Sequence, residues 1–272
     1  MSKWSWFNKI SLVVGFAFLY VPILLLVVYS FNESRLVTVW AGFSTKWYGE
    51  LLQNDGIMNA AGVTLKVAFM TSTLSTILGT MAGFSMSRFG RFRGRTLFNG
   101  MIYAPLVMPE VITGLSLLLM FVAISLDRGM MTITLAHTTF SMCYVAVVIQ
   151  SRLTSFDRSI EEAAMDLGCT PLKTFFVITL PVIFPAVASG WLLSFTLSLD
   201  DLVIASFTTG PGATTLPMKI YSMVRLGVTP EINAVSTILI GIVAAGVLIA
   251  SLLHKRSETQ RAKDELMAST AS

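Results

Sequence analysis

From Ile10 to Phe31 the chain runs twenty-two residues without a charged side chain, and it does so again from Ile232 to Leu253. A helix of about 20 apolar residues crosses the hydrocarbon core of a bilayer. Four more stretches approach that length: Ala60–Met86, Leu97–Leu126, Met130–Gln150 and Phe175–Leu199. Charged residues make up 12% of the 272, where a soluble domain carries roughly 25%. The mean hydropathy is +0.74. Too little polar surface remains to cover a soluble core, so the expected class is an all-α integral membrane protein with six spans. The first stretch is longer than the apolar part of a signal peptide and no small-residue cleavage pattern follows it, so it is read as a retained span.

A net charge of +4 does not here indicate nucleic acid. Thirteen of the nineteen Lys and Arg fall in the segments expected on one side of the membrane and five on the other, with Lys66 inside a span. Positive charge is retained on the cytoplasmic side, which places both termini there. The cluster Arg88, Arg91, Arg93 and Arg95 is read as a topology anchor. The spans define a membrane domain over 1–254, and 255–272 is a polar cytoplasmic tail. On the opposite side, 32–59 and 200–231 are long and hold aromatic residues suited to the membrane interface, among them Trp40, Trp47, Tyr48 and Tyr221. Cys143 lies in a span and Cys169 in a cytoplasmic segment, so no disulfide framework is expected. No Cys/His cluster has metal-ligand spacing, and no cofactor is implied.

The cytoplasmic segment 151–174 is too regular for a linker. Ile160, Ala163, Ala164 and Leu167 fall at i, i+3, i+4 and i+7, one face of a helix. Thr154 with Asp157 three residues on has the spacing of a capping box. Gly168 stands where the helix should stop. Thr170-Pro171 reads as the N-cap and first residue of a second short helix. A helix–turn–helix knob with small residues on one face suits insertion into a groove on a soluble partner.

Glu162-Ala163-Ala164, then Gly168, then Ile178 and Leu180-Pro181 resemble the EAA signature of ABC importer permeases, with every fixed position of EAA-x3-G-x9-I-x-LP in place. The resemblance implies a type I importer fold. It also implies a second permease subunit, a pair of ATP-hydrolysing subunits gripping this loop, and a periplasmic binding protein. On that reading Glu162 is the charged contact or helix-orienting group, Ala163 and Ala164 the close-packing face, and Gly168 the turn. The competing reading of Glu162 is an exposed carboxylate paired with Arg158. No G-x-x-x-x-G-K-[ST] phosphate loop occurs, so nucleotide chemistry falls to another chain and this one is not expected to be an enzyme.

Charge inside a membrane is costly and calls for a purpose or a partner. Glu110 follows Pro109 within the third stretch, and Asp200 and Asp201 stand at the outer end of the fifth; Lys66 is the one basic residue within a span. Three carboxylates against one lysine suggest a cationic cargo, with aromatic faces adding cation–π attraction. Two alternatives stay open: Glu110 as an internal partner of Lys66, and the aspartates as caps of the helix end or as the gate of a loop. Consecutive helical residues point about 100° apart, so the two aspartates cannot face a pore equally.

The stretches 105–112, 198–203, 219–225 and 42–48 are similar to those of polyamine (putrescine/spermidine) importer permeases. This similarity implies a polyamine cargo and draws Trp47 and Tyr221 to the pathway beside Glu110, Asp200 and Asp201. The family position matching Glu110 commonly carries Asp. Spermidine or another small solute remains open as cargo. A proton-coupled secondary transporter using Glu110, Asp200 or His137 is the rival of another class, and it leaves the 151–174 signature unexplained. An intramembrane hydrolase lacks a nucleophile elbow at Gly114-Leu115-Ser116-Leu117-Leu118.

Overall fold

The computed structural model describes residues 6–36, 39–227, 229–242 and 244–245. Among these there is no strand beyond an isolated bridge between Asn32 and Phe43. The chain divides into two compact units, 1–55 with 222–272, and 56–221.

In the first unit, helix α1 (Trp6–Tyr29) buries none of its residues, although its apolar side chains run along its whole length. Its outward surface therefore suits lipid. The chain then turns around Asn32, which is almost fully buried. Asn32 Oδ1 accepts from the amides of Ser34 and Ala41 at 3.2 and 2.9 Å, and Nδ2 donates to Val39 O at 2.7 Å. Trp47, on the short helix α2 (Lys46–Leu52), donates its indole N–H to Asn32 O at 2.6 Å.

The second unit is organised around α6 (Met130–Thr154), thirteen of whose residues are buried. Helix α3 (Asp55–Arg88) lies against it through Gly79 and Gly83. A Cβ at Gly79 would stand 2.6 Å from Val145 Cβ, and one at Gly83 2.6 Å from Ala146 O. The two glycines form a G-x-x-x-G step that lets backbones approach where apolar solvent provides no hydrophobic drive. On another side of α6, Val145, Ile149 and Leu153 pack on Ile183 of α9 (Leu180–Asp200).

The expected third span is not a single rod. It is α4 (Arg95–Val107) and α5 (Glu110–Ala123), bent 119° from each other. Pro109 supplies no backbone N–H and forces Met108 into an extended conformation, ψ 139°, so the helix stops and a new one starts. Leu117 and Phe121 of α5 then pack with Ala136 and Phe140 of α6 and with Ile204 of α10 (Val203–Thr208).

The expected hairpin of 151–174 forms as α7 (Ser159–Asp166) and α8 (Pro171–Thr174). Through one π-turn, Phe175–Thr179, α8 continues into α9, so 30 residues from Pro171 to Asp200 make a single apolar helix. Pro181 follows that turn, and the widened backbone accommodates its missing N–H. Helix α11 (Leu216–Leu226) completes the second unit and crosses into the first, where α12 (Pro230–Ile242) buries Ile232, Ala234 and Val235.

Four described helices are long and apolar enough to cross a membrane, or five if α4 and α5 count as one broken span. Six are not all present among the described residues. The expected sixth, Ile232–Leu253, is described only as far as α12 and residues 244–245, and its remainder, like the tail 255–272, lies outside the described residues.

Candidate coupling and pathway sites

The hairpin turns where its sequence says it should. Gly168 has φ +90°, a left-handed conformation that only glycine adopts without strain. Its amide donates to Met165 O at 2.9 Å, and the Cys169 amide to Ala164 O at 3.0 Å. Those two bonds form a Schellman closure. Thr170 Oγ1 accepts from the Lys173 amide at 3.4 Å, with Pro171 at the first helical position. The start of α7 differs from expectation. Thr154 is the last residue of α6, its hydroxyl bonded to Gln150 O at 2.8 Å, and it does not cap α7. Asp157 instead accepts from the Ser159 amide at 2.9 Å, and that bond holds its carboxyl below the ordinary carboxylate range.

Glu162 and Arg158 pair at 3.1 Å across one turn, both more than half exposed. A pair in that setting contributes little stability, so both ends remain accessible. Ala163 is exposed and Ala164 partly buried. Ile160 and Leu167, which share the apolar face with the alanines, are also exposed, Leu167 at 88%. That apolar face is turned away from the rest of the chain.

The inward group of α7 is Glu161, which sequence reasoning passed over. Its Oε2 lies 2.6 Å from Arg88 Nε as a charge contact whose N–H is out of line for a hydrogen bond, and its Oε1 accepts from Thr179 Oγ1 at 2.7 Å. Arg88 also donates through Nη1 to Leu153 O at 3.1 Å and sits over the Phe156 ring, 5.6 Å away. Arg95 closes the neighbouring helix end: its guanidinium donates to Met86 O, Phe89 O and Gly90 O. Two of the four clustered arginines therefore satisfy carbonyls at helix C-termini, a role beyond topology. The signal that would have found Glu161 is weak. It is the coincidence of an acid beside the motif and an arginine at the end of the second span.

The adjacent aspartates part company. Asp201 is 8% exposed, and its Oδ1 accepts from the Ala205 amide at 2.8 Å at the start of α10. His137 Nε2 stands 3.1 Å from the same oxygen, without hydrogen-bond alignment, while Nδ1 meets Ser198 Oγ at 2.8 Å. Asp201 thus receives an amide at the start of α10 instead of capping the end of α9. Asp200 is exposed, and it shares a helical face with exposed Ser189 and Thr196, seven and four residues apart.

Glu110 is exposed at the first position of α5. A helix N-terminus carries partial positive charge, which favours a carboxylate there. No ion pair joins it to Lys66 among the described residues. Trp47 is 3% exposed, its ring covered by the Lys46 ammonium 4.6 Å from the centroid. Its buried ring packs within the first unit, whereas the sequence similarity draws it to the pathway. Tyr221 stands half-exposed on α11.

A model of the binding-protein-dependent transport system inner membrane component matches residues 75–262. The chain is 63% identical to the putrescine transport system permease protein PotI of Escherichia coli (strain K12), over 94% of this chain and 93% of that protein. It is 42% identical to the spermidine/putrescine transport system permease protein PotC of the same organism, over 90% and 92%. Among solved structures, it resembles a chain of a bacterial ABC transporter involved in the import of the acidic polysaccharide alginate. There the TM-score is 0.69 at 17% identity, covering 94% of this chain and 99% of that one. A chain of a bacterial alginate ABC transporter in complex with alginate pentasaccharide-bound periplasmic protein gives 0.68 at 16%, covering 88% of each chain. These likenesses establish the type I transmembrane fold, and the secondary-transporter and hydrolase readings fall away. The chain belongs to the binding-protein-dependent transport system inner membrane components, and it is a multi-pass inner-membrane permease subunit of an ABC importer rather than an enzyme.

Proposed function

We propose that this permease forms half of the transmembrane path of an ATP-driven polyamine importer, with putrescine as its cargo. The observation that carries the reading is one continuous element. The EAA hairpin passes through a π-turn into a 30-residue helix that ends at the exposed carboxylate of Asp200. A diamine carries two ammonium groups on an apolar spacer. Asp200 and Glu110 offer separate exposed carboxylates for such charges, and Tyr221 an aromatic face. Asp201 accepts the Ala205 amide where α10 follows α9, and so braces the helix end that carries Asp200. Relatives named for putrescine and for spermidine/putrescine transport support the same cargo class.

The partners follow from the class: a second permease, a pair of ATPase subunits and a periplasmic polyamine-binding protein. Glu162, Ala163, Ala164 and Gly168 form the surface the ATPase grips, within a coupling loop of 151–174. The permease domain covers 1–254, and both termini, with the tail 255–272, lie in the cytoplasm, as the Lys/Arg bias supports. Closure of the ATPases draws the hairpins together and opens the permease pair outward; hydrolysis resets it. The test is ATP hydrolysis by the reconstituted transporter across a panel of putrescine, spermidine, cadaverine and neutral solutes. Putrescine is expected to stimulate most. Stimulation by a neutral solute alone would overturn the cargo.

A further inference from the structure

Helix α7 buries one residue, Glu161. Its apolar face is exposed, and a cavity of about 490 Å³ separates the hairpin from the end of α3, walled by Met81, Phe84, Met165, Leu172 and Phe175. Apolar packing therefore does not hold α7 to α3 across this gap. Beside the gap Phe84 of α3 packs edge-on to Phe175 of the π-turn, ring centroids 4.9 Å apart, while α7 itself reaches α3 and the π-turn through polar contacts: Glu161 to Arg88 at the last position of α3, and Glu161 to Thr179 at the last position of the π-turn. Arg88 in turn holds Leu153 O near the end of α6, and its Nη2 reaches Phe156 O at 3.5 Å. Glu161 thus ties the hairpin to α3 and to the helix that continues into α9, and through Arg88 to α6.

We propose that Arg88, Glu161 and Thr179 form a clamp that transmits movement of the docking hairpin to α3 and α6 as well as to α9. The two successive glutamates divide the work: Glu162 faces outward to the partner and Glu161 inward to the clamp. These are positioning residues, and the proposal rests on the reading of the hairpin as the ATPase contact. A purely docking role for Glu161 would break assembly. A transmitting role leaves assembly intact and breaks communication.

The experiment uses the complete transporter in nanodiscs and measures stimulation of ATP hydrolysis by the binding protein loaded with putrescine. It also records the basal rate and the co-purification of the ATPase. Glu161→Gln and Arg88→Gln are expected to keep co-purification and basal hydrolysis while stimulation falls roughly fivefold or more. The double variant should be no worse than either single one, because both remove the same link. Thr179→Val, which takes away a single hydroxyl donor, should give a smaller fall. Unchanged stimulation in Glu161→Gln, additive losses in the double variant, or loss of the ATPase from the complex would each overturn the clamp. If Glu161→Gln cannot be recovered folded, Thr179→Val decides, and full stimulation in it overturns the proposal. Failure of the docking reading shows separately, as an ATPase that stays bound and stimulated in Glu162→Lys. Wild-type transporter that no binding protein stimulates would overturn both.

Discussion

Asp200 and Asp201 carry the same chemistry in neighbouring positions, and burial alone separates them. Asp201 receives an amide at the start of α10 and stands against His137, while Asp200 turns outward with Ser189 and Thr196. Their substitutions should therefore fail differently. Asp200→Asn is expected to leave thermal stability unchanged and to reduce putrescine uptake roughly tenfold. Asp201→Ala strands the Ala205 amide and should cost about 1–3 kcal/mol of stability, read as a lower unfolding midpoint in detergent. Equal loss of stability in both would contradict the division. A residue pair of this kind is half legible in a sequence: the 100° step says that the two cannot share a role, and only packing says which takes which. Glu161 and Glu162 repeat the lesson. The motif marks Glu162, and nothing in the spacing marks Glu161, because its partners Arg88 and Thr179 are distant in sequence and meet it only through the fold. Trp47 was legible as an aromatic outside the membrane but not as a buried donor to Asn32 O.

Elements fixed by local rules were the readable ones. The hairpin's turn needs a residue at positive φ, an N-cap hydroxyl and a proline at the first helical position. Gly168, Thr170 and Pro171 supply them within four residues. The start of α7 misled because Ser/Thr-x-x-acid spacing also occurs where a preceding helix simply runs on, as α6 does through Thr154. The third span was legible in part, since Pro105 and Pro109 within it point to a kinked helix. Whether such a helix bends or breaks depends on its neighbours, and here α5 is turned to pack on α6 and α10. The approach of α3 to α6 depends on Gly79, where a side chain would collide with Val145 Cβ and Met142 O. Gly79→Val should destabilise the folded permease by about 1–3 kcal/mol. Gly100→Ala, which meets nothing within 4 Å, serves as the control in the same thermal unfolding measurement. Equal midpoints would remove the close-packing role of Gly79.

On the scale of the whole molecule, the consequential length is that of the helix from Pro171 to Asp200. Thirty residues at 1.5 Å span about 45 Å, the full depth of a bilayer with its interfaces. A push on the hairpin therefore has a stiff path to the far end of α9, interrupted only by the π-turn and the proline steps at Pro181 and Pro185, which suit a hinge. The same push reaches α3 through the clamp. Both routes begin at the exposed face of α7. The decisive measurement is ATP-dependent uptake of radiolabelled putrescine into proteoliposomes holding the complete transporter, wild type beside Glu162→Lys. Charge reversal at the grip should lower uptake at least about tenfold and release the ATPase from the complex. Uptake at the wild-type rate with the ATPase still bound would contradict the account.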